Sequence, residues 1–92
     1  MEKKTQRKIL ENQIKWFNVV KMNRLNDKIE EGYEGFDDML NFKDMAFNMF
    51  CKSDKAQLDM NLVTKTDLID ISNLAMFLYN LKIQEENGKS GG

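Results

Sequence analysis

Residues 64–83, TKTDLIDISNLAMFLYNLKI, contain the clearest helical signal in the chain. Thr64 and Asp67 match the S/T-x-x-D/E capping box, in which each side chain bonds to the other residue's backbone N–H, so a helix is predicted to begin near Thr64 or Thr66. Beyond the cap, apolar residues point in nearly every direction around the helix, which is typical of a central, buried helix. One strip of this helix stays comparatively polar, and its members are Asp70, Asn73, Asn80 and Gln84.

Two further helices are predicted upstream. We expect one long helix over residues 2–31, although its apolar positions shift sides along its length, from Ile9, Trp16 and Val20 to Met22, Leu25 and Ile29. Gly32 and Gly35 predict a turn, because glycine accepts the positive φ that ends helices. A second helix is predicted from Asp37 or Asp38. Its apolar face consists of Met39, Phe42, Ala46, Met49 and Phe50, and its polar strip of Asp37, Asn41, Asp44, Asn48 and Lys52.

The fold class that follows is all-α. Residues 1–84 form a single helical domain, a small bundle of three to four helices, and residues 85–92 read as a flexible tail. Residues 52–64 hold either a short helical turn or a loop. A domain of 92 residues cannot easily cover a central helix on all sides, so we expect self-association, most simply a two-fold dimer.

Composition excludes several classes of protein and of site. The longest apolar run is six residues, 74–79, whereas a membrane-spanning helix needs about 20. Histidine is absent, which excludes imidazole bases and histidine-containing triads and zinc sites. Cys51 is alone and forms no internal disulfide, so we expect a cytoplasmic protein in which this residue is part of the core.

Charge is unevenly distributed along the chain. Residues 1–30 carry eight Lys or Arg against four Asp or Glu, whereas residues 31–59 carry three against seven. Such a charge distribution could steer an anionic ligand towards the first third of the chain or help identical chains to pair. The alternative is that these charges only line solvated helix faces. Nucleic-acid binding is not expected, because DNA- and RNA-binding domains often have a pI above about 9 and this chain has 5.4.

Two carboxylates on the last helix suggest metal chemistry. Asp67 and Asp70 are three residues apart and share one helix face, and Mg²⁺ prefers such hard oxygen ligands. A second acidic group on a facing helix would complete a site for a metal–triphosphate complex, and the candidates are Glu30, Glu31 and Glu34, or else Asp44. The alternative is structural: Asp67 only caps the helix, and Asp70 is a polar residue at the edge of the core.

Residues 67–79 resemble the E-x-x-D-V-A-N-F-A-M-M-L stretch of the MazG-like, all-α nucleoside triphosphate pyrophosphohydrolases. Residues 25–36 are similar to the L-x-x-N-x-x-K-G-x-W segment of some members. The resemblance implies a dimeric or tetrameric helical bundle. It also implies Mg²⁺ held between an E-x-x-E helix and an E-x-x-D helix, and cleavage of a nucleotide to its monophosphate and pyrophosphate.

The chain departs from this family pattern at the metal ligands. Asp70 and Asn73 match the D-x-x-N positions, but Asp67 replaces the usual Glu, and residues 48–51 read Asn-Met-Phe-Cys instead of E-x-x-E. We therefore expect no cofactor and no catalysis. The leading hypothesis is a binding protein that sequesters a nucleotide, another phosphorylated ligand or a protein partner, and its ligand-binding residues are Lys21, Arg24, Lys28, Asp70 and Asn73.

Two alternatives stay open. The first is an active Mg²⁺-dependent pyrophosphohydrolase, whose metal ligands would be Glu31, Glu34, Asp67 and Asp70. The second is an inhibitor encoded by a virus or mobile element that acts by protein–protein interaction. This alternative follows from the small size of the chain and its Lys-, Asn- and Met-rich composition.

Overall fold

The computed structural model describes the backbone of residues 1–91 and the side chains up to residue 88. The described residues form three α-helices and no strand: α1 (Lys3–Glu30), α2 (Phe42–Leu58) and α3 (Lys65–Gly91). Short 3-10 turns, Met39–Asn41 and Met60–Leu62, precede α2 and α3 respectively. The all-α prediction is therefore confirmed. No helix in the described residues has the length and hydropathy needed to cross a bilayer.

Helix α1 is one continuous helix, as predicted, and it ends at the expected glycine. The backbone N–H of Gly32 donates to the carbonyl of Ile29 (2.9 Å), and that of Tyr33 donates to the carbonyl of Lys28 (2.8 Å). Gly32 has a φ of +90°, so the two hydrogen bonds form a Schellman motif. This motif satisfies two carbonyls of the last turn and reverses the chain towards α2.

The face of α1 that packs in the structure agrees with the predicted one only in part. Trp16 is 70% exposed and Ile9 is also exposed, whereas Val20 and Leu25 are half-buried as predicted. The half-buried positions also include three charged residues, of which Arg24 and Lys28 line the pocket described below; the full set is Phe17, Val20, Lys21, Arg24, Leu25 and Lys28. Apolar spacing alone misassigned this face because basic residues occupy part of the contact.

The connection from α1 to α2 is fixed by a glycine and an asparagine. Gly35 has a φ of +87°, and its carbonyl accepts a hydrogen bond from Asn41 Nδ2 (2.8 Å). A Cβ atom at Gly35 would lie 2.7 Å from that nitrogen, so a larger residue would displace the Asn41 amide and would also be strained by the positive φ. Asp38 Oδ1 then accepts from the backbone N–H of Leu40 (2.9 Å) and caps the 3-10 turn that leads into α2.

Helix α2 is longer than expected and presents a different core residue. It continues to Leu58, where a short turn or a loop was predicted from residue 52, and it ends as Asp59 adopts an extended backbone and caps the next turn. Met45 is the buried residue of α2, whereas Phe50, assigned to the apolar face, is 63% exposed. Cys51 is exposed, so its assignment to the core is also wrong.

Helix α3 begins at the predicted capping box. The backbone N–H of Asp67 donates to Thr64 Oγ1 (3.0 Å), and the backbone N–H of Thr64 donates to Asp67 Oδ2 (3.1 Å). The helix continues to Gly91, past the predicted limit near residue 84. Flexibility of residues 85–92 stays a prediction, and Gly92 lies outside the described residues.

The core is small and lies where α3 crosses α2 and the second half of α1. Phe77 stacks obliquely on Phe36 of the connection, with ring centroids 5.2 Å apart. The buried apolar residues are Met45, Leu74, Phe77 and Leu81, and they pack against Leu25, Phe42, Met49, Met76 and Leu78. Helix α3 is thus central, but in a single chain one side of it stays uncovered, since Leu68, Tyr79 and Ile83 are exposed.

Candidate functional site

Asp67 joins the start of α3 to α2 as well as capping it. Besides its hydrogen bonds with Thr64, its Oδ1 lies 3.5 Å from Lys52 Nζ, and its Oδ2 lies 3.8 Å from Lys55 Nζ. The side chain is largely buried, so these two lysines compensate its charge where water cannot. Asp67 therefore has the structural role that the capping alternative predicted, and it holds Lys52 on the inner side of α2.

Asp70 lies one turn further along α3 and joins all three helices. Arg24 donates to it with two nitrogens, from Nε to Oδ1 (3.0 Å) and from Nη2 to Oδ2 (3.4 Å). Lys52 Nζ is 3.6 Å from Asp70 Oδ2. Because a forked arginine–carboxylate pair fixes both distance and orientation, this contact sets how the second half of α1 lies on α3.

A pocket of about 290 Å³ opens beside this ion-pair network, between the three helices. Its walls combine apolar side chains with three cations and one carboxylate. The lining residues are Arg24, Leu25, Lys28, Tyr33, Asn48, Lys52, Asp70, Asn73, Leu74 and Phe77. Such a pocket, largely apolar and with a few convergent polar groups, is typical of small-molecule sites, and the excess of cations favours an anionic ligand.

Asn73 is the unusual residue of this pocket. It is only 3% exposed, yet neither its Nδ2 nor its Oδ1 has a hydrogen-bond partner in the described part of the chain. A buried polar group without a partner costs about 1–3 kcal/mol. We expect a buried amide with this cost to be retained only where it has a role outside the stability of the fold. A ligand with both a hydrogen-bond donor and an acceptor would supply the partners that the Asn73 amide lacks.

The charges of the network perturb each other's protonation equilibria. The hydrogen bond from Arg24 to Asp70 raises the pKa of the Arg24 guanidinium, and the nearby carboxylate charge acts in the same direction. The backbone N–H of Thr64 is the largest cause that lowers the pKa of Asp67, and Lys55 and Lys52 add to it, while burial opposes the shift. Both groups are therefore held in their charged forms at neutral pH.

The lowered pKa of Asp67 predicts a loss of stability in acid. Because the folded-state pKa lies below the ordinary value of 3.8, the carboxylate contributes stability above that pH and loses its contribution as the pH falls through the folded value. We expect the free energy of unfolding, from urea titrations at stepped pH, to fall less steeply below pH 4 in Asp67→Asn than in wild type.

Thr64→Ala is the matched control for this experiment. It removes the hydroxyl that accepts from Asp67 but keeps the backbone N–H that donates to the carboxylate. We expect it to lower stability at every pH, by about 1 kcal/mol for a lost cap. The backbone N–H of Thr64 lowers the pKa of Asp67 more than the hydroxyl does, so the pH dependence of Thr64→Ala should stay closer to that of wild type than to that of Asp67→Asn. A slope as shallow as that of Asp67→Asn would contradict the assigned cause.

Four of the five predicted ligand-binding residues lie together. Arg24, Lys28, Asp70 and Asn73 all line the pocket, whereas Lys21 is half-buried on α1 and is not among its lining residues. The polar strip of α3 thus faces the pocket over its first half. Sequence reasoning missed Tyr33, Asn48 and Lys52. The signal for the last two was present, since Asn48 and Lys52 are four residues apart in the predicted polar strip of α2.

The proposed metal ligands do not form a joint site. Within the described residues there is no group of three or more acidic or cysteine side chains placed to hold a metal ion. Glu31 lies 3.7 Å from Lys28 Nζ, and the oxygens of Asp67 and Asp70 already contact cationic nitrogens. The residues therefore do not fit a Mg²⁺–triphosphate centre built from Glu31, Glu34, Asp67 and Asp70.

Comparison of the chain with protein-family models, with curated proteins and with solved structures gives no match.

Proposed function

We propose that this chain is a small, non-catalytic binding protein whose pocket between α1, α2 and α3 takes an anionic ligand of nucleotide or similar phosphorylated chemistry. The observation that carries the proposal is the buried, unpartnered amide of Asn73 in a pocket lined by Arg24, Lys28 and Lys52. Cations attract a phosphate, and an amide with a free donor and acceptor suits the edge of a nucleobase. The MazG-like resemblance at Asp70 and Asn73 supports the same ligand class, as part of the proposal.

Catalysis is not part of this proposal. The pyrophosphohydrolase alternative needs acidic side chains that meet around Mg²⁺, and Asp70 instead binds Arg24 in a forked ion pair. A carboxylate held between two cations serves to position them, and Arg24 still has donors that Asp70 does not use. The arrangement therefore suits retention of a phosphorylated ligand better than its hydrolysis.

Self-association is the second part of the proposal. Large apolar side chains are exposed on α1 and on α2, and they include Ile14, Phe47 and Phe50. Large exposed apolar patches mark protein interaction sites. We take a second copy of the chain as the partner, and an inhibitor that docks on another protein is the competing interpretation of the same surface.

Calorimetric titration tests the ligand proposal. A panel of nucleoside mono-, di- and triphosphates, cyclic dinucleotides and pyrophosphate is titrated into the full chain in the presence of EDTA. We expect at least one compound to bind at one site per chain, and Arg24→Gln and Lys28→Gln to weaken it at least about tenfold each, that is by about 1.4 kcal/mol. Lys8→Gln, on the exposed first half of α1, is the matched control and should bind as wild type does.

Two outcomes would contradict the ligand proposal. The absence of heat with every compound would leave protein–protein interaction as the function. Pyrophosphate release from a nucleoside triphosphate with Mg²⁺ or Mn²⁺, abolished by Asp70→Ala, would establish the catalytic alternative instead.

A further inference from the structure

The first half of α1 lies exposed in the part of the chain that the structure describes. Every residue from 1 to 16 is exposed, and residues 3–16 correspond to about 21 Å of helix. This segment continues from the packed second half of α1, so it needs no nucleation of its own. A surface that packed on it would bury apolar side chains that are exposed here.

The unpartnered part of α1 carries an apolar stripe that continues its packed face. Leu10, Ile14 and Phe17 follow each other at intervals of four and three residues, so they share the side of the helix on which Arg24 contacts α3. Leu10 is 55% exposed and Ile14 is 59% exposed. We call residues 3–17, with this stripe, the α1 arm.

A second unpartnered stripe lies on α2, opposite its core residue Met45. Phe47, Phe50 and Leu58 are each more than 60% exposed, and their spacing places them together on one side of the helix with Cys51 and Asp54. We call these five residues the outer face of α2. Two phenylalanines side by side on a solvated helix face form a typical anchor for a partner helix.

Charge distinguishes these two surfaces from each other. The α1 arm carries five basic residues, Lys3, Lys4, Arg7, Lys8 and Lys15, and one acidic residue, Glu11. On α2 the ion pairs hold Lys52 and Lys55 against Asp67, away from the outer face. The segment 36–60 is thus left with one lysine, Lys43, against five aspartates: Asp37, Asp38, Asp44, Asp54 and Asp59.

The exposed area is large enough for an interface between two chains. The accessible surface is 7508 Å², whereas a folded monomer of 10.8 kDa exposes roughly 5,500 Å². The radius of gyration is 15.9 Å, against about 12 Å for a compact domain of this length. The excess of about 2,000 Å² exceeds the roughly 800 Å² that each partner buries in a standard interface.

We infer that the α1 arm of each chain packs on the outer face of α2 of a second copy, in a reciprocal two-fold dimer. This inference rests on the proposed self-association and is independent of the ligand. It accounts for both apolar stripes and for the opposite charges that flank them. Pairing of two α1 arms would instead bring the basic residues of both chains together.

Complementation between two variants tests this pairing. The arm variant is Leu10→Asp with Ile14→Asp, and the face variant is Phe47→Asp with Phe50→Asp. None of these four positions is buried, so circular dichroism should show that α2, α3 and the core stay folded. Sedimentation equilibrium then measures the mass of each variant alone and of an equimolar mixture, with a fluorescent label on one of them.

Reciprocal pairing has a specific signature. Wild type should form a dimer of twice the 10.8 kDa chain mass, and each variant alone should be monomeric. The mixture should form a heterodimer, because the face variant supplies an intact α1 arm and the arm variant supplies an intact outer face. With one of two contacts left, its dissociation constant should be at least about tenfold weaker than that of wild type. Tyr79→Asp, on the exposed side of α3, should leave the wild-type dimer unchanged.

Different outcomes would contradict self-association itself and the specific pairing of the α1 arm with the outer face of α2. A wild-type chain that stays monomeric at submillimolar concentration would refute self-association itself. A face variant that is dimeric alone, or a mixture that stays monomeric, would refute the pairing of the α1 arm with α2 while leaving self-association intact. Dissociation of the dimer by Tyr79→Asp would assign the interface to α3 instead.

Discussion

Asn73→Leu is expected to stabilise the fold by about 1–3 kcal/mol and to abolish ligand binding. In wild type the amide is 3% exposed, and neither of its polar atoms has a hydrogen-bond partner among the described residues, so folding removes its hydration without replacement. Leucine has no polar group to desolvate, and its additional volume enters the adjacent pocket of about 290 Å³. The change in stability is measured by the midpoint of urea denaturation. The loss of binding is measured on the same sample by calorimetric titration with the nucleotide that binds wild type.

Asn48→Leu is the matched control for this prediction. Asn48 lines the same pocket, but its side chain is exposed, so its replacement relieves no comparable desolvation. We expect little change in its stability. A loss of stability in Asn73→Leu would show that the amide is needed by the fold itself, and unaltered nucleotide binding would remove Asn73 from the ligand site.

The helical framework was predictable from local signals. The capping box at Thr64 and Asp67 and the glycine that ends α1 are short-range motifs whose hydrogen bonds involve residues at most five positions apart. Such signals do not depend on the rest of the fold. For this reason the existence and the order of the helices agreed with the prediction, and the starts of α1 and α3 fell close to the expected positions.

The packed faces were harder to predict because they depend on contacts between distant residues. Arg24 and Lys52 lie on the inner sides of their helices, where Asp70 contacts both of them and Asp67 contacts Lys52. Asp70 is 46 residues from Arg24 in the sequence. Apolar spacing treats charged residues as solvent-facing, so it placed the α1 contact on the side of Trp16, which is exposed. It also missed Lys52 as a pocket residue.

Part of the apolar spacing was misleading for a different reason. Phe47 and Phe50, and Leu10 and Ile14 of the α1 arm, are exposed in the part of the chain that the structure describes. Apolar residues recur at helical spacing both on surfaces that form an internal core and on surfaces that form an interface with another chain. The spacing alone does not distinguish the two. If the α1 arm packs on a second copy, these residues belong to the core of the dimer. The apolar pattern then predicted correctly that they are buried, but it did not indicate whether the burial occurs within one chain or between two.

Asp70→Asn is expected to weaken the fold and to strengthen anion binding. The carboxylate neutralises Arg24 through a forked ion pair and lies 3.6 Å from Lys52 Nζ. Removal of its charge leaves Arg24 without compensation and Lys52 paired with Asp67 alone, which should cost about 1–3 kcal/mol of stability at this partly buried site, less than for a fully buried pair. The same two cations then become available to a ligand, and pyrophosphate titrated in EDTA should bind about tenfold more tightly than to wild type.

Glu86→Gln separates this local effect from the change in net charge. It also removes one negative charge from α3, but 16 residues further along the helix, which is about 24 Å from Asp70. Its affinity for pyrophosphate should match that of wild type. When the titration is repeated with Mg²⁺ in place of EDTA, the catalytic alternative makes the opposite prediction for Asp70→Asn, because loss of a Mg²⁺ ligand would weaken metal-dependent binding and end pyrophosphate release. The sign of the change in affinity therefore decides whether Asp70 holds the cations of a binding pocket or a metal ion.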